Sequence, residues 1–221
     1  NGNSALTPAD EKDLAAIFAN LPQKKSVSEW LDYLRERVRI FADVSPLQMR
    51  EFMLDSKVAY YRKGDVVFEK GEPGSSLFAI ADGHAEVEVG PGITVPIEQG
   101  SIFGEVGLIS GRKRGATIRA GEDSIFVEVS RTAALKLMAA VPGAKRVINR
   151  ISLERQLLQI FKGGLTVEDL APVVDAAEVE RVPAGKVVLT EGEQGDDVYV
   201  VRSGSMVVEK DIVGKPIFLR Y

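Results

Sequence analysis

The sequence predicts an α+β protein: a helical N-terminal segment, a unit of short strands closed as a barrel or sandwich, two further helices, and the start of a second strand-rich unit. Three observations carry this reading. Apolar residues recur at helical spacing through residues 1–40 and again after Ser130. Short β-rich runs bounded by glycine and proline fill the interval, and the same strand-rich pattern then begins afresh.

The N-terminal helices have legible starts. Thr7-Pro8-Ala9-Asp10 sets out an N-cap, a first-turn proline and an acid in order, and Leu14, Ile17, Phe18 and Leu21 then share one face until Pro22. Ser26-Val27-Ser28-Glu29 is a second capping box, followed by the stripe Leu31, Leu34, Val38 and Phe41. Ser45-Pro46-Leu47-Gln48 opens a third, short helix. From Val58 the period turns strand-like, with runs at Val66–Phe68, Leu77–Ile80, Ala85–Val89, Ile93–Ile97, Ala116–Arg119 and Ile125–Val129. Helical spacing returns through Leu135, Leu137 and Met138, Pro142-Gly143 breaks it, and a longer helix runs from about Ala144 to Phe161. Gly163-Gly164 is its expected stop.

The pattern then repeats. A shift of 121 positions, the separation of Gly64 and Gly185, aligns Thr166 with Ser45 as helix caps. It also pairs Gly64, Val66, Val67, Gly71, Glu72, Gly74, Gly83, Val87 and Glu88 with identical residues at Gly185, Val187, Val188, Gly192, Glu193, Gly195, Gly204, Val208 and Glu209. Four of the nine are turn glycines that fix backbone geometry. The period is too long for a solenoid unit, so an internal duplication into two tandem domains is expected.

Composition narrows the function. A net charge of −4 argues against nucleic acid as a partner, since phosphate binding needs a basic surface. The absence of cysteine removes disulfides, zinc thiolates and thiol nucleophiles. The one histidine, His84, follows Asp82-Gly83 and reads as a hairpin-turn residue, so no hydrolytic triad and no catalytic or metal site is expected. No apolar run approaches the roughly 20 residues that span a bilayer, and the N-terminus lacks a signal-peptide layout. The expectation is a cytoplasmic protein without a membrane partner.

The chemistry concentrates in Phe103-Gly104-Glu105-Val106-Gly107-Leu108-Ile109-Ser110-Gly111-Arg112-Lys113-Arg114-Gly115-Ala116-Thr117. A glycine-flanked carboxylate opens a helical turn, and an arginine followed by two small residues leads into a strand. Helix N–H groups beside Gly104 suit a phosphate, Arg114 adds a planar two-pronged cation, and Gly115 and Ala116 let further main-chain donors approach. Glu105 suits a different task, accepting from a sugar hydroxyl next to that phosphate.

This run resembles the phosphate-binding cassette of cyclic-nucleotide-binding domains, as do Gly64-Asp65-Val66-Val67-Phe68-Glu69-Lys70-Gly71-Glu72-Pro73-Gly74 and Asp82-Gly83-His84-Ala85-Glu86-Val87 upstream. The resemblance covers residues 41–161 in full and 162–221 as a truncated second copy, with 1–40 as the helical N-terminal segment. Its tandem layout is similar to regulatory subunits of cAMP-dependent protein kinase, although no Arg-Arg-X-Ser/Ala pseudosubstrate precedes it. The resemblance implies an antiparallel, jelly-roll-like β-roll with an inserted cassette helix, C-terminal lid helices and a partial second roll. It implies that Glu105 holds the ribose 2′-hydroxyl and Arg114 the cyclic phosphate, with Gly104, Val106, Gly115 and Ala116 completing the cradle. Phe103, Leu108, Val87 and Val95 would line the apolar side, and Leu157, Leu158 and Phe161, on the last turns of the lid helix, would either cap the base or pack against the second roll. Lys113, Gly107 and Gly115 depart from the commonest residues of the cassette. The implied function is a non-enzymatic regulatory module that binds cAMP, cGMP less well, and reports occupancy to an effector. Two alternatives stand beside it: the regulatory half of a longer enzyme, or a nucleotide-insensitive copy of the fold.

Overall fold

Side chains that cap helices decide how the chain begins. In the computed structural model, which describes residues 7–161, 164–212 and 215–220, helix α1 (Pro8–Phe18), α2 (Val27–Arg37) and α3 (Pro46–Leu54) each start with a reciprocal capping box. The pairs are Thr7 with Asp10, Ser26 with Glu29 and Ser45 with Gln48. Each box satisfies two of the N–H groups that a helix start leaves without partners. A single 3-10 turn, Arg39–Phe41, links α2 to α3.

Two four-stranded antiparallel sheets follow. One has the order β1 (Ser56–Tyr61), β8 (Ser124–Ser130), β3 (Ser76–Asp82), β6 (Ile102–Phe103). The other has the order β2 (Val66–Phe68), β7 (Ile118–Ala120), β4 (Ala85–Gly90), β5 (Ile93–Ile97). Together they form a β-roll, and period-two alternation assigns each side chain to one of two cores. Leu77, Ala79 and Ala81 of β3, with Ile125, Val127 and Val129 of β8, join the helical core. Phe78, Ile80 and Phe126 turn the other way, joining Phe68, Phe103, Ile118 and Ala120 between the sheets. Both strands are therefore almost wholly buried and read as continuous apolar runs.

The helical core reaches back into the N-terminal segment. Leu14, Phe18, Trp30, Leu31 and Leu34 lie in the same buried cluster as β3, β8, α5 (Arg131–Ala140) and the first half of α6 (Pro142–Phe161). Residues 1–40 thus share one core with the roll. The break expected at Pro142-Gly143 is present but falls one residue earlier, with both residues inside the second helix. Val141 alone separates α5 from α6, because proline at a first helical position has no N–H to lose and a φ already suited to the helix. Of the expected stop, Gly163 lies outside the described residues.

Beyond it the expected partial second roll consists of one helix and one hairpin. Helix α7 (Val167–Ala176) carries the box Thr166–Asp169, and β9 (Val208–Ile212) pairs antiparallel with β10 (Lys215–Arg220). Residues 177–207 hold no ladder, and Val187, Leu189 and Val198 are exposed. In the first roll, by contrast, β2 pairs with β7 and β3 with β6 and β8. The turn geometry nonetheless repeats: φ is +89°, +92° and +72° at Gly64, Gly71 and Gly83, and +82°, +88° and +87° at Gly185, Gly192 and Gly204.

Candidate functional site

The six-residue helix α4 (Glu105–Ser110) enters from β6 through Gly104, whose φ of +80° lies in the left-handed region. Two reasons keep a side chain out. The backbone conformation is strained for an L-residue, and a Cβ there would stand 2.5 Å from Arg114 Nη1. Glycine therefore lets the guanidinium come against the start of α4. Arg114 donates from Nη1 to the Gly104 carbonyl at 2.9 Å and from Nη2 to Ser76 Oγ at 3.2 Å. Its guanidinium carbon lies 4.1 Å from the Phe68 ring centre, a cation–π arrangement. The loop of Gly71–Gly74 grips the arginine backbone, with Gly71 N–H donating to the Arg114 carbonyl and Arg114 N–H donating to the Glu72 carbonyl.

The site holds two buried charges. Arg114 is only 6% exposed, yet its described partners are neutral and its Nε–H has none. Burial pulls the guanidinium below the usual arginine value, against the opposing influence of the Glu128, Glu72 and Glu105 carboxylates. A buried cation in that position favours any anion that can reach it. Glu105 is 1% exposed. Its Oε2 accepts from Arg155 Nη1 of α6 at 2.7 Å, whereas Oε1 is buried and has no partner.

The structure gathers some of the sequence-marked residues and separates others. Gly104, Glu105 and Val106 stand at the start of α4, and Arg114, Gly115 and Ala116 in the segment leading into β7, the two joined by the Arg114 side chain on the Gly104 carbonyl. Val87 and Val95 pair across β4 and β5, Val87 at the edge of the inter-sheet core and Val95 open to solvent. Phe103 is stacked on Phe78 at 5.2 Å and edge-on to Phe126 at 5.4 Å, so it supports the floor of the roll. Leu108 is turned away, fully buried in the helical core. Leu157 packs with Leu170 and Val174 of α7, Leu158 lies against that cluster, and Phe161 is half exposed. Sequence reasoning missed Arg155, Ser76 and Phe68. Arg155 reads as one more charge on an amphipathic helix, and only the packing of α6 on α4 brings it to Glu105. Gln159, one turn on, has its amide nitrogen 3.7 Å from where a Gly115 Cβ would stand.

Residues 58–141 match the family model described as cyclic nucleotide-binding domain. A cGMP-dependent protein kinase of Eimeria tenella is 32% identical over 198 residues, covering 88% of this chain and 19% of the kinase. A cAMP-dependent protein kinase regulatory subunit of Dictyostelium discoideum is 22% identical over 204 residues, covering 90% of this chain and 62% of the subunit. The chain thus spans about a fifth of the kinase and under two thirds of the subunit. A structure of PKAR CBD2 bound to Sp-2Cl-cAMPS shares the fold, with a TM-score of 0.50 and 23% identity over 64% of this chain and 94% of that one.

Proposed function

The chain carries a cyclic-nucleotide-binding domain at residues 58–141, and on that premise we propose that it is a regulatory module that binds cAMP in preference to cGMP and passes occupancy to an attached or associated effector. The domain itself is regulatory, not catalytic. The observation that carries the ligand assignment is the pair of buried, incompletely partnered charges at α4: Arg114, without a described anionic partner, and Glu105, with one carboxylate oxygen free. In this reading Arg114 takes the cyclic phosphate, Glu105 accepts from the ribose 2′-hydroxyl, and the backbone at Gly104, Val106, Gly115 and Ala116 closes the cradle. Val87 and Val95 offer the base an apolar strand face, half covered and half open. Gly115 supports the adenine preference. It presents no hydroxyl to a guanine 2-amino group, which would then lose its water without a replacement.

Residues 162–221 are proposed to begin a second domain of the same kind. The matched turn glycines, the capped helices α3 and α7, and the alignment of β4–β5 with β9–β10 support this.

Removing one charged partner of a ligand hydrogen bond costs about 1.5–3 kcal/mol, about 10- to 150-fold in affinity. Arg114→Ala and Glu105→Ala should each weaken cAMP binding by that factor while leaving the thermal unfolding cooperative. Titration calorimetry giving wild-type affinity for both variants would overturn the assignment.

A further inference from the structure

Glu105 has its two oxygens in different circumstances. Oε2 is held by Arg155 at 2.7 Å, and Oε1 is buried with no partner. A carboxylate accepts through both oxygens, and one used on one side only, at 1% exposure, leaves a desolvated acceptor that costs free energy until a donor arrives. Arg155 stands on α6, the helix that also joins α7: Arg150 pairs with Asp175, and Leu157 packs on Leu170 and Val174. Among the described ion pairs, Arg155–Glu105 is the one that ties α6 to α4.

Resting on the function proposed above, we infer that Arg155 is a positioning residue for the ligand. It fixes the Glu105 carboxylate through Oε2 so that Oε1 faces the ribose hydroxyl, and the bound ligand completes a chain running from hydroxyl to carboxylate to guanidinium. The opposite arrangement, a latch that the ligand must displace, would need the ribose to compete for Oε2. The free Oε1 removes that need. Ligand and α6 therefore help each other: α6 docked through Arg155 orients the acceptor, and an occupied Oε1 holds Glu105 where Arg155 meets it.

The test reads the 2′-hydroxyl through Arg155. Affinities for cAMP and 2′-deoxy-cAMP are measured on the 221-residue chain and on Arg155→Ala, Arg155→Gln and Arg155→Lys. The wild type should prefer cAMP by about 10-fold or more, the value of a hydrogen bond to a charged acceptor. In Arg155→Ala and Arg155→Gln that preference should fall below about threefold, with cAMP itself bound more weakly, while Arg155→Lys recovers part of it. A general loss of packing would weaken both nucleotides alike and leave the ratio intact; that result, in whichever of the two neutral variants folds, overturns the inference. Tighter cAMP binding by Arg155→Ala would overturn it in favour of the latch. Failure of the wild type to bind either nucleotide would instead sink the function on which it rests.

Discussion

Gly104 and Gly115 flank Arg114, one in space and one in sequence, and they answer differently to an added side chain. At Gly104 an alanine would meet both a left-handed backbone and the guanidinium at 2.5 Å. The backbone alone costs about 1–2 kcal/mol, and relieving the clash moves Arg114 off the Gly104 carbonyl. Gly104→Ala should therefore lower the unfolding free energy measured by denaturant titration by about that amount and weaken cAMP binding in the same protein. At Gly115 the nearest atom to a new Cβ is the Gln159 amide nitrogen at 3.7 Å, an ordinary contact. Gly115→Thr should fold as the wild type does and shift preference toward cGMP. Competition against a fluorescent cyclic nucleotide checks the second point, and an unshifted or more cAMP-selective ratio refutes it. Glu105 and Arg114 could be marked as candidates from the sequence because their spacing along the chain is the signal. Arg155 could not, since it lies 50 residues from Glu105 and meets it only once α6 packs on α4.

Helix starts are the elements the sequence announces best, because the cap is a local bargain between residues three apart. All four boxes expected or aligned from the sequence, at Thr7, Ser26, Ser45 and Thr166, are present. Their carboxylates also carry a pH signature. Asp10 and Asp169 are held below the ordinary aspartate value by hydrogen bonds from the threonine backbone N–H and hydroxyl, and Glu29 likewise by Ser26. A group whose pKa is lower folded than unfolded stabilises the fold above its unfolded pKa, near 3.8 for the two aspartates, and that gain is lost as pH falls through the folded value. Acidification from pH 5 toward 3 should thus reduce hydrogen-exchange protection in the first turns of α1, α2 and α7. Asp169→Asn should flatten that dependence for α7 alone; an unchanged profile there would show that the cap is not the titrating group. Strands were less legible. The two-residue β6 is too short to show a period, and the run expected at Ala116–Arg119 is Ile118–Ala120, since Gly115 to Thr117 bend around the cassette. The roll's closure depends on long-range pairings such as Val66 with Arg119, which no local pattern contains.

At the scale of the whole molecule, the nine matched residues were visible in the sequence, and the repeat expected from them is matched in the turn glycines but not in strand pairing. Residues 177–207 hold no ladder, because closing a roll depends on long-range pairings that no local pattern contains. The core shared by the N-terminal helices and the roll has a spectroscopic consequence. Trp30, the one tryptophan of the sequence, is 1% exposed and lies in the same buried cluster as β3, β8 and the first half of α6. Its indole emission therefore reports on helices and roll together, and denaturant should change that emission in a single cooperative step.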